Sequence, residues 1–512
     1  VENYLTYNWA KNKHNFSALA GHSWQEVFIQ TRNYSISNFP ISQIEPIYNP
    51  ATGTQLTLAD NRPGGSAIVN ELQSFFGRVT YAYDSKYLLT VNFRSDGSTK
   101  FGGNNKYGYF PSFSAAWKIS DEAFMKNSVF SNLKLRAGYG VTGNQEIKPK
   151  STQALFNVTT GSGYPLAASG SYPSGITYVR FANPDLQWET SKQTDIGLDF
   201  SLLKGALTGT VDVFRKQSSN ILLEVVPFDP VSPIALTYKN VPDMKITNQG
   251  VELELEYNHR SSNGISYNVG GNVTYMKNNV ENSPYSILAS GSAQGSGLTG
   301  ATVNGYLNGQ PIGTFFLKEW TGFGSTGIST FRDLDGDNII TDKDRISAGS
   351  ALPNVIYSFY GGLGYKGFDF NVNFNGVSGN KIYDNTANSN NYKLKLSKNV
   401  NVTREAIANT TESVNNSAPV STRYLYDGAY LRLNNLALGY TFNTSKMGSF
   451  GKYVTAMRLS VTGQNLFVAT KYKGFDPEVN TDRNIAEVTS YGLDYLSYPK
   501  ARTFIIGLNL SF

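Results

Sequence analysis

The chain contains no cysteine, which removes disulfides, thiolate metal sites and cysteine nucleophiles together. It has only three histidines, His14, His22 and His259, and none sits at HExxH or other metal-ligand spacing. There is no G-x-S-x-G elbow and no phosphate-binding glycine loop; Gly291 to Gly300 has no lysine and reads as a flexible low-complexity segment. Acidic pairs are numerous, as in any chain of 512 residues, and none is singled out by spacing, so the chain is not expected to be an enzyme. Charged residues make up 16%, and the formal charge of +6 is spread without a Lys/Arg block, so nucleic acid is not an expected partner. No apolar run approaches the ~18 residues that a membrane helix needs. Any crossing of a bilayer therefore falls to strands. The amino end lacks a basic region, apolar core and cleavage site, and so reads as a mature product, a fragment or a trimmed chain.

Aromatic residues are abundant: 33 Tyr, 30 Phe and 5 Trp. They fall into segments with a period of two. Phe504, Ile506, Leu508, Leu510 and Phe512 share one face of an extended strand, while Thr503, Gly507, Asn509 and Ser511 share the other. Val251, Leu253, Leu255 and Tyr257 alternate with Glu252, Glu254, Glu256 and Asn258. Phe368, Phe370, Val372 and Phe374 alternate with Asp369, Asn371, Asn373 and Asn375. Three glutamates on one strand face are costly in a dry core but not against a watery lumen. Strands of this length and pattern suit a transmembrane antiparallel β-barrel, whose staves need roughly 9–11 residues. A large soluble β-sandwich or propeller with one wet face has the same period.

About fifteen strands are expected: 4–10, 14–30, 71–84, 86–96, 107–119, 131–142, 188–203, 205–218, 247–259, 264–278, 354–366, 367–381, 430–443, 453–468 and 500–512. Tight turns such as Asp84-Ser85, Leu203-Lys204, Ser261 to Asn263 and Lys366-Gly367 join some neighbours. Long polar connections (31–70, 143–187, 219–246, 279–353, 382–429 and 469–499) join others. Short turns on one side and long loops on the other characterise outer-membrane barrels. Between Leu431/Leu433 and Leu436/Leu438 the alternation slips phase at Asn434-Asn435, which predicts a bulge, the alternative being that 431–433 is a rim segment already outside the lipid band. The one helical pattern, Thr403 to Val414, lies inside a long loop.

The sharpest local motif runs from Asp333 to Asp344. Asp333, Asp335, Asp337 and Asp344 occupy positions 1, 3, 5 and 12 of a twelve-residue loop, with Ile339 and Thr341 at positions 7 and 9. That is the spacing by which an EF-hand-type loop offers oxygen ligands to Ca²⁺. Asn338 replaces the usual glycine, and Asp344 replaces the longer bidentate glutamate. No flanking helix pair is evident, so a structural ion is expected here, set against an acidic turn without metal.

Several segments resemble the SusC/RagA-type TonB-dependent transporters. These are Gly463-Gln-Asn-Leu-Phe467 with Thr470 to Glu478 (TKYKGFDPE), Asp427 to Leu433 (DGAYLRL) and Asn183 to Glu189 (NPDLQWE). Phe110 to Ser114 (FPSFS), Tyr498 to Thr503 (YPKART), Gly376-Val-Ser-Gly379 and the DxDGD loop follow the same family order from about residue 71 onward. The resemblance implies a 22-stranded outer-membrane barrel of a Gram-negative, Bacteroidetes-type bacterium, with long extracellular loops. It further implies a plug with a TonB-interacting segment and a SusD-like surface lipoprotein as lid. On that reading residues 1–512 are the carboxy-terminal part of the barrel, and the plug and TonB segment lie outside them. The implied function is active import of a large solute, a glycan first and an oligopeptide second; a passive porin and an adhesive surface protein are the alternatives. Expected substrate-facing residues are Glu252, Glu254 and Glu256 in the lumen and Trp320 in a loop, with Tyr306, Phe315, Phe316 and Tyr392 as further sugar-stacking candidates.

Overall fold

The computed structural model describes residues 1–33, 35–40, 45–55, 64–159, 175–225, 237–485 and 488–512. Fifteen strands form one antiparallel sheet whose spatial order is the chain order. They are β1 (Glu2–Lys11), β2 (His14–Asn33), β3 (Gly64–Tyr83), β4 (Tyr87–Ser98), β5 (Tyr107–Lys118), β6 (Phe130–Asn144), β7 (Glu189–Leu202) and β8 (Leu207–Ser219). The series continues with β9 (Lys245–Arg260), β10 (Ile265–Glu281), β11 (Val355–Tyr365), β12 (Phe368–Ser378), β13 (Tyr430–Phe442), β14 (Ala456–Thr470) and β15 (Thr503–Ser511). Every strand read from the period-two pattern is present, displaced at its ends by a few residues. Strands β1 and β15 are the two margins of the sheet.

The connections alternate. Seven on one rim have two to thirteen residues, and seven on the other have eight to seventy-three. At the tightest, Lys366 (φ 48°) and Gly367 (φ 92°) both adopt left-handed backbone, the conformation of a two-residue hairpin that matches strand twist.

Register decides what each face carries. Leu253 opposes Val211 on β8 and Val273 on β10, so apolar residues line up in rows on one side. Glu252 opposes Asp212 and Thr274 in the polar row on the other side. On the apolar side Ile506 is 77% exposed, Ile196 54%, Leu508 55% and Phe370 37%. Each such side chain left in water forgoes roughly 1.5–3 kcal/mol of burial, so a band of this size belongs in hydrocarbon. These residues do not form a soluble core.

Aromatic rings gather on the apolar side beside the short connections. Trp9, His14, Tyr83, Tyr87 and Trp117 run as one chain of ring contacts with centroids 5.0–6.4 Å apart. Tyr257, His259 and Tyr267 form a second group, and Phe368, Tyr440 and Phe442 a third. Rings with a polar edge are favoured where hydrocarbon meets water.

The buried cores lie mainly in the long connections, with Phe110 of β5 and Val280 of β10 joining them from the strand ends. One cluster contains Val303, Phe315, Leu317, Tyr383 and Leu493, another Ile221, Met244, Val280 and Val488, and a third Phe101, Phe110, Leu186 and Trp188. Strand segments 288–292, 302–306, 314–318 and 345–350 form a small sheet there. Segment 381–384 pairs antiparallel with 425–427 and parallel with 493–494. The connections thus fold into a packed cap, where the sequence suggests only polar loops. The helix expected at 403–414 is confined to Arg404–Ala408. It stops because Asn409 turns its side chain back to accept from the backbone of Thr411 and Glu412.

Candidate functional site

The polar face is organised around Arg136 on β6. Its Nε donates to Asp199 Oδ1 at 3.0 Å and its Nη2 to Asp212 Oδ2 at 2.7 Å, while Asp195 lies 3.5 Å from Nη1. Lys134 adds a second contact to Asp199 at 3.1 Å. Arg136 reaches Asp212 by crossing β7 at Gly197, where a Cβ atom would collide with both the guanidinium and the carboxylate. Next in this row comes Glu252, which accepts a long hydrogen bond from Thr274 Oγ1 at 3.4 Å. Glu256 accepts from Asn258 at 3.0 Å. Glu252 and Glu254 line a cavity of about 290 Å³ with Thr210, Asp212, Asn272 and Thr274. The three glutamates expected to face the lumen thus share one polar wall, and no described cation lies within ion-pair distance of them.

A second charged group sits on β3 and β4. Arg94 is bidentate through Nε to Asp96 (2.7 and 2.9 Å), donates to Ser74 and lies over the Phe76 ring. With Arg78 and Asn92 it lines a cavity of about 610 Å³. Arg458 pairs with Asp369 at 2.6 Å on β14 and β12. Inward positions therefore carry both signs, acidic near β8–β9 and basic near β3–β4.

Trp320 is half-buried and packs against its neighbours in the loops. The Arg423 guanidinium lies 5.7 Å from its ring centre, Phe323 meets it edge-on at 5.3 Å, and its indole N–H is buried without an acceptor among the described residues. Arg423 is fixed in turn by two contacts to the buried Glu412, at 2.8 and 2.9 Å. Tyr306, Phe315 and Tyr392 are buried members of the cap cores. Their aromatic character serves packing, which single residue types do not announce.

In the 333–344 loop the carboxylates of Asp333, Asp335 and Asp337 present oxygens within 4.8 Å of one another. Asn338 takes φ 63°, the left-handed turn for which glycine is usual. These carboxylates also accept from the loop's own backbone, Asp333 from Gly336 N and Asn338 N at 2.7 and 2.8 Å and Asp337 from Ile339 N at 2.7 Å, and Asp344 does likewise. Its Oδ1 accepts from Leu334 N at 2.8 Å and its Oδ2 from Thr341 N at 2.7 Å, closing the loop as a capping box. Those donors hold its carboxyl below the usual carboxylate range. Ile339 exposes 64% of its surface. Three hard carboxylate oxygens on one edge suit a cation such as Ca²⁺. Asp333, Asp335 and Asp337 would hold it, with Ile339 and Thr341 as the neighbouring positions.

The motifs quoted above meet in two places. Phe110 of FPSFS packs edge-on against Trp188 of NPDLQWE at 5.4 Å, and the Trp188 indole donates to Lys106 O. In the second place, buried Arg432 of DGAYLRL contacts Asp476 and Glu478 of GFDPE, both at 2.6 Å. Lys500 of YPKART reaches the same Glu478 at 2.7 Å. Asn465 of GQNLF has φ 52° and donates to Ala501 O. Beside this knot, Asp384, Arg404, Glu405, Phe475, Asp494 and Tyr498 line a cavity of about 740 Å³. Sequence reasoning passed over this cavity because its walls come from four separate segments.

The sequence model described as "TonB dependent receptor-like, beta-barrel" matches residues 2–466. The chain belongs to that family. This TonB-dependent receptor-like barrel is 33% identical over 543 residues to TonB-dependent receptor P3 of Formosa agariphila, covering all of this chain and 52% of the relative. It is 29% identical over 470 residues to TonB-dependent receptor SusC of Bacteroides thetaiotaomicron, covering 86% of this chain and 44% of SusC. The solved RagAB peptide importer in its open-open state superposes with a TM-score of 0.79 at 25% identity, covering all of this chain and 54% of that one. The chain thus spans about half the length of the curated relatives it matches. Its type is SusC/RagA, and its place is the outer membrane.

Proposed function

We propose that this chain is the barrel wall and outer-loop portion of an energised outer-membrane importer of a large solute. The observation that carries the reading is the sheet's division into a lipid-suited apolar face and a charged, recessed polar face. Because the chain covers about half of its relatives, the remaining strands, a plug and a TonB-contacting segment are assigned to the rest of the full-length protein. A SusD-like lipoprotein is the proposed lid over the cap. An oligosaccharide is the first candidate for the cargo, since hydroxyl-rich solutes suit a wall of Asn, Thr, Asp and Arg. An oligopeptide is the second, favoured by the likeness to the RagAB peptide importer. Deleting the full-length gene and following uptake of labelled oligosaccharides and peptides tests the assignment. Loss of uptake that is mimicked by removing the TonB-contacting segment supports it; uptake indifferent to TonB and to the proton gradient makes the barrel a porin instead.

The 333–344 loop is proposed to hold one Ca²⁺ through Asp333, Asp335 and Asp337, as a staple for an exposed turn. Asp335→Ala is expected to remove the bound calcium measured by elemental analysis and to speed amide exchange across the loop, with barrel assembly unchanged. Unaltered calcium in that variant counts against the ligand set.

A further inference from the structure

The rim of short connections has a charge pattern that transport does not use. Its seven connections, each taken with one strand-end residue on either side, are 11–14, 83–87, 118–130, 202–207, 260–265, 365–368 and 442–456. Each contains at least one cation: Lys11 and Lys13, Lys86, Lys118 and Lys126, Lys204, Arg260, Lys366, and Lys446 and Lys452. Against these ten cations stand three acids, Asp84, Asp121 and Glu122. The rim therefore carries a surplus of seven positive charges, whereas the whole chain carries +6. Essentially all of the net charge sits at one end of the molecule.

The acids do not neutralise the row evenly. Asp84 pairs with Lys13 and Lys86, and Glu122 with Lys86. Lys204, Arg260, Lys366, Lys446 and Lys452 are exposed and have no carboxylate within 4 Å among the described residues. Just above them on the apolar side lie the three aromatic groups, and Lys366 rests 5.0 Å over the ring of its neighbour Tyr365. Exposed apolar side chains stand among the cations, with Phe124 at 70% and Tyr453 at 75%. Successive connections lie about two strand spacings apart, roughly 10 Å. That exceeds the Debye length of about 8 Å at physiological salt, so the cations are largely screened from one another and each acts on the headgroups nearest to it.

A continuous row of cations along this rim, directly beneath an aromatic belt, places positive charge at the depth of lipid headgroups. We infer that this rim is a docking surface for anionic phospholipid headgroups of the leaflet on the short-connection side. The belt sets the depth, the cations select charge, and the barrel gathers a shell of anionic lipid around its base. The inference goes beyond solute import and depends only on the chain standing in a bilayer.

The test uses the full-length transporter in nanodiscs made from equal parts phosphatidylglycerol and phosphatidylcholine. Lipids that remain bound after detergent extraction are counted by native mass spectrometry. Wild type is expected to retain phosphatidylglycerol over phosphatidylcholine, and 0.5 M salt to reduce that excess. K204Q/R260Q/K366Q/K446Q/K452Q is expected to lower the excess at least about two-fold. The same number of changes on the opposite rim, R32Q/K239Q/K398Q/R404Q/K471Q, is expected to leave it unchanged. An absent excess in wild type overturns the inference whether or not the rim variant assembles, as does equal loss in both variants. Rim-dependent sedimentation with anionic peptidoglycan, without lipid selection, also overturns it by moving the partner to the cell wall.

Discussion

Arg432 contacts two carboxylates at once and is itself 3% exposed, so its charge is held by Asp476 and Glu478 rather than by water. Removing one partner of a buried pair commonly costs about 3–5 kcal/mol, because the remaining charges are stranded. Arg432→Ala is therefore expected to release the 471–502 connection, seen as faster amide exchange and new protease cleavage there. The sheet should persist, since its bonds along β13 run through the backbone. Arg432→Lys should rescue only in part, because an ammonium lacks the fork that serves two acids. A second residue-scale prediction concerns Asp384, which caps the helix at Asn385–Asn390 by accepting from Ala387 N at 2.7 Å. Burial and the nearby Asp494 push its carboxyl up to about 6, from 3.8. The folded cap then binds the proton more tightly than the unfolded chain, so stability falls as pH rises from about 4 to 6. The loss amounts to up to about 3 kcal/mol. Asp384→Asn keeps an N-cap acceptor and removes the charge. It should flatten the pH dependence of amide protection over 381–390 and leave the cap at least as stable at pH 7.

At the scale of elements, the strands were legible because a period of two repeats for nine or more residues, and register then follows from the apolar rows. The phase slip at Asn434 was legible for the same reason. The ladder shifts between Leu433 and Asn435 on both sides, and Asn465 opposite it turns left-handed. The GQNLF and YLRL motifs are thus two halves of one irregularity in neighbouring strands. The cap was not legible. Its strands have two to six residues, too few to show a period, and they pair across gaps such as Tyr383 with Leu493. The candidate site divides the same way. Glu252, Glu254 and Glu256 were readable from alternation, whereas the Arg136–Asp212 contact across Gly197 requires the pairing of three strands. The Arg423 contact to Trp320 is not legible either, because the two residues lie about a hundred positions apart.

For the whole molecule, the two faces make opposite demands. Leu508→Lys places a charge in the hydrocarbon band, where the cost is about 2–4 kcal/mol at mid-depth. It should reduce the heat-modifiable, fully assembled form in outer-membrane fractions. Asn371→Lys adds the same charge to the polar face and should assemble normally. The packed interior belongs to the cap, while neighbouring wall strands are joined mainly through main-chain bonds that any residue can make. A lineage can therefore rewrite its connections, core and all, without renegotiating the stave pairing beneath them. For an engineer the corresponding unit of exchange is the three interlocked loops 282–354, 379–429 and 471–502 moved together, because Tyr383, Phe315 and Leu493 come from different ones and a solitary graft would arrive with half a core.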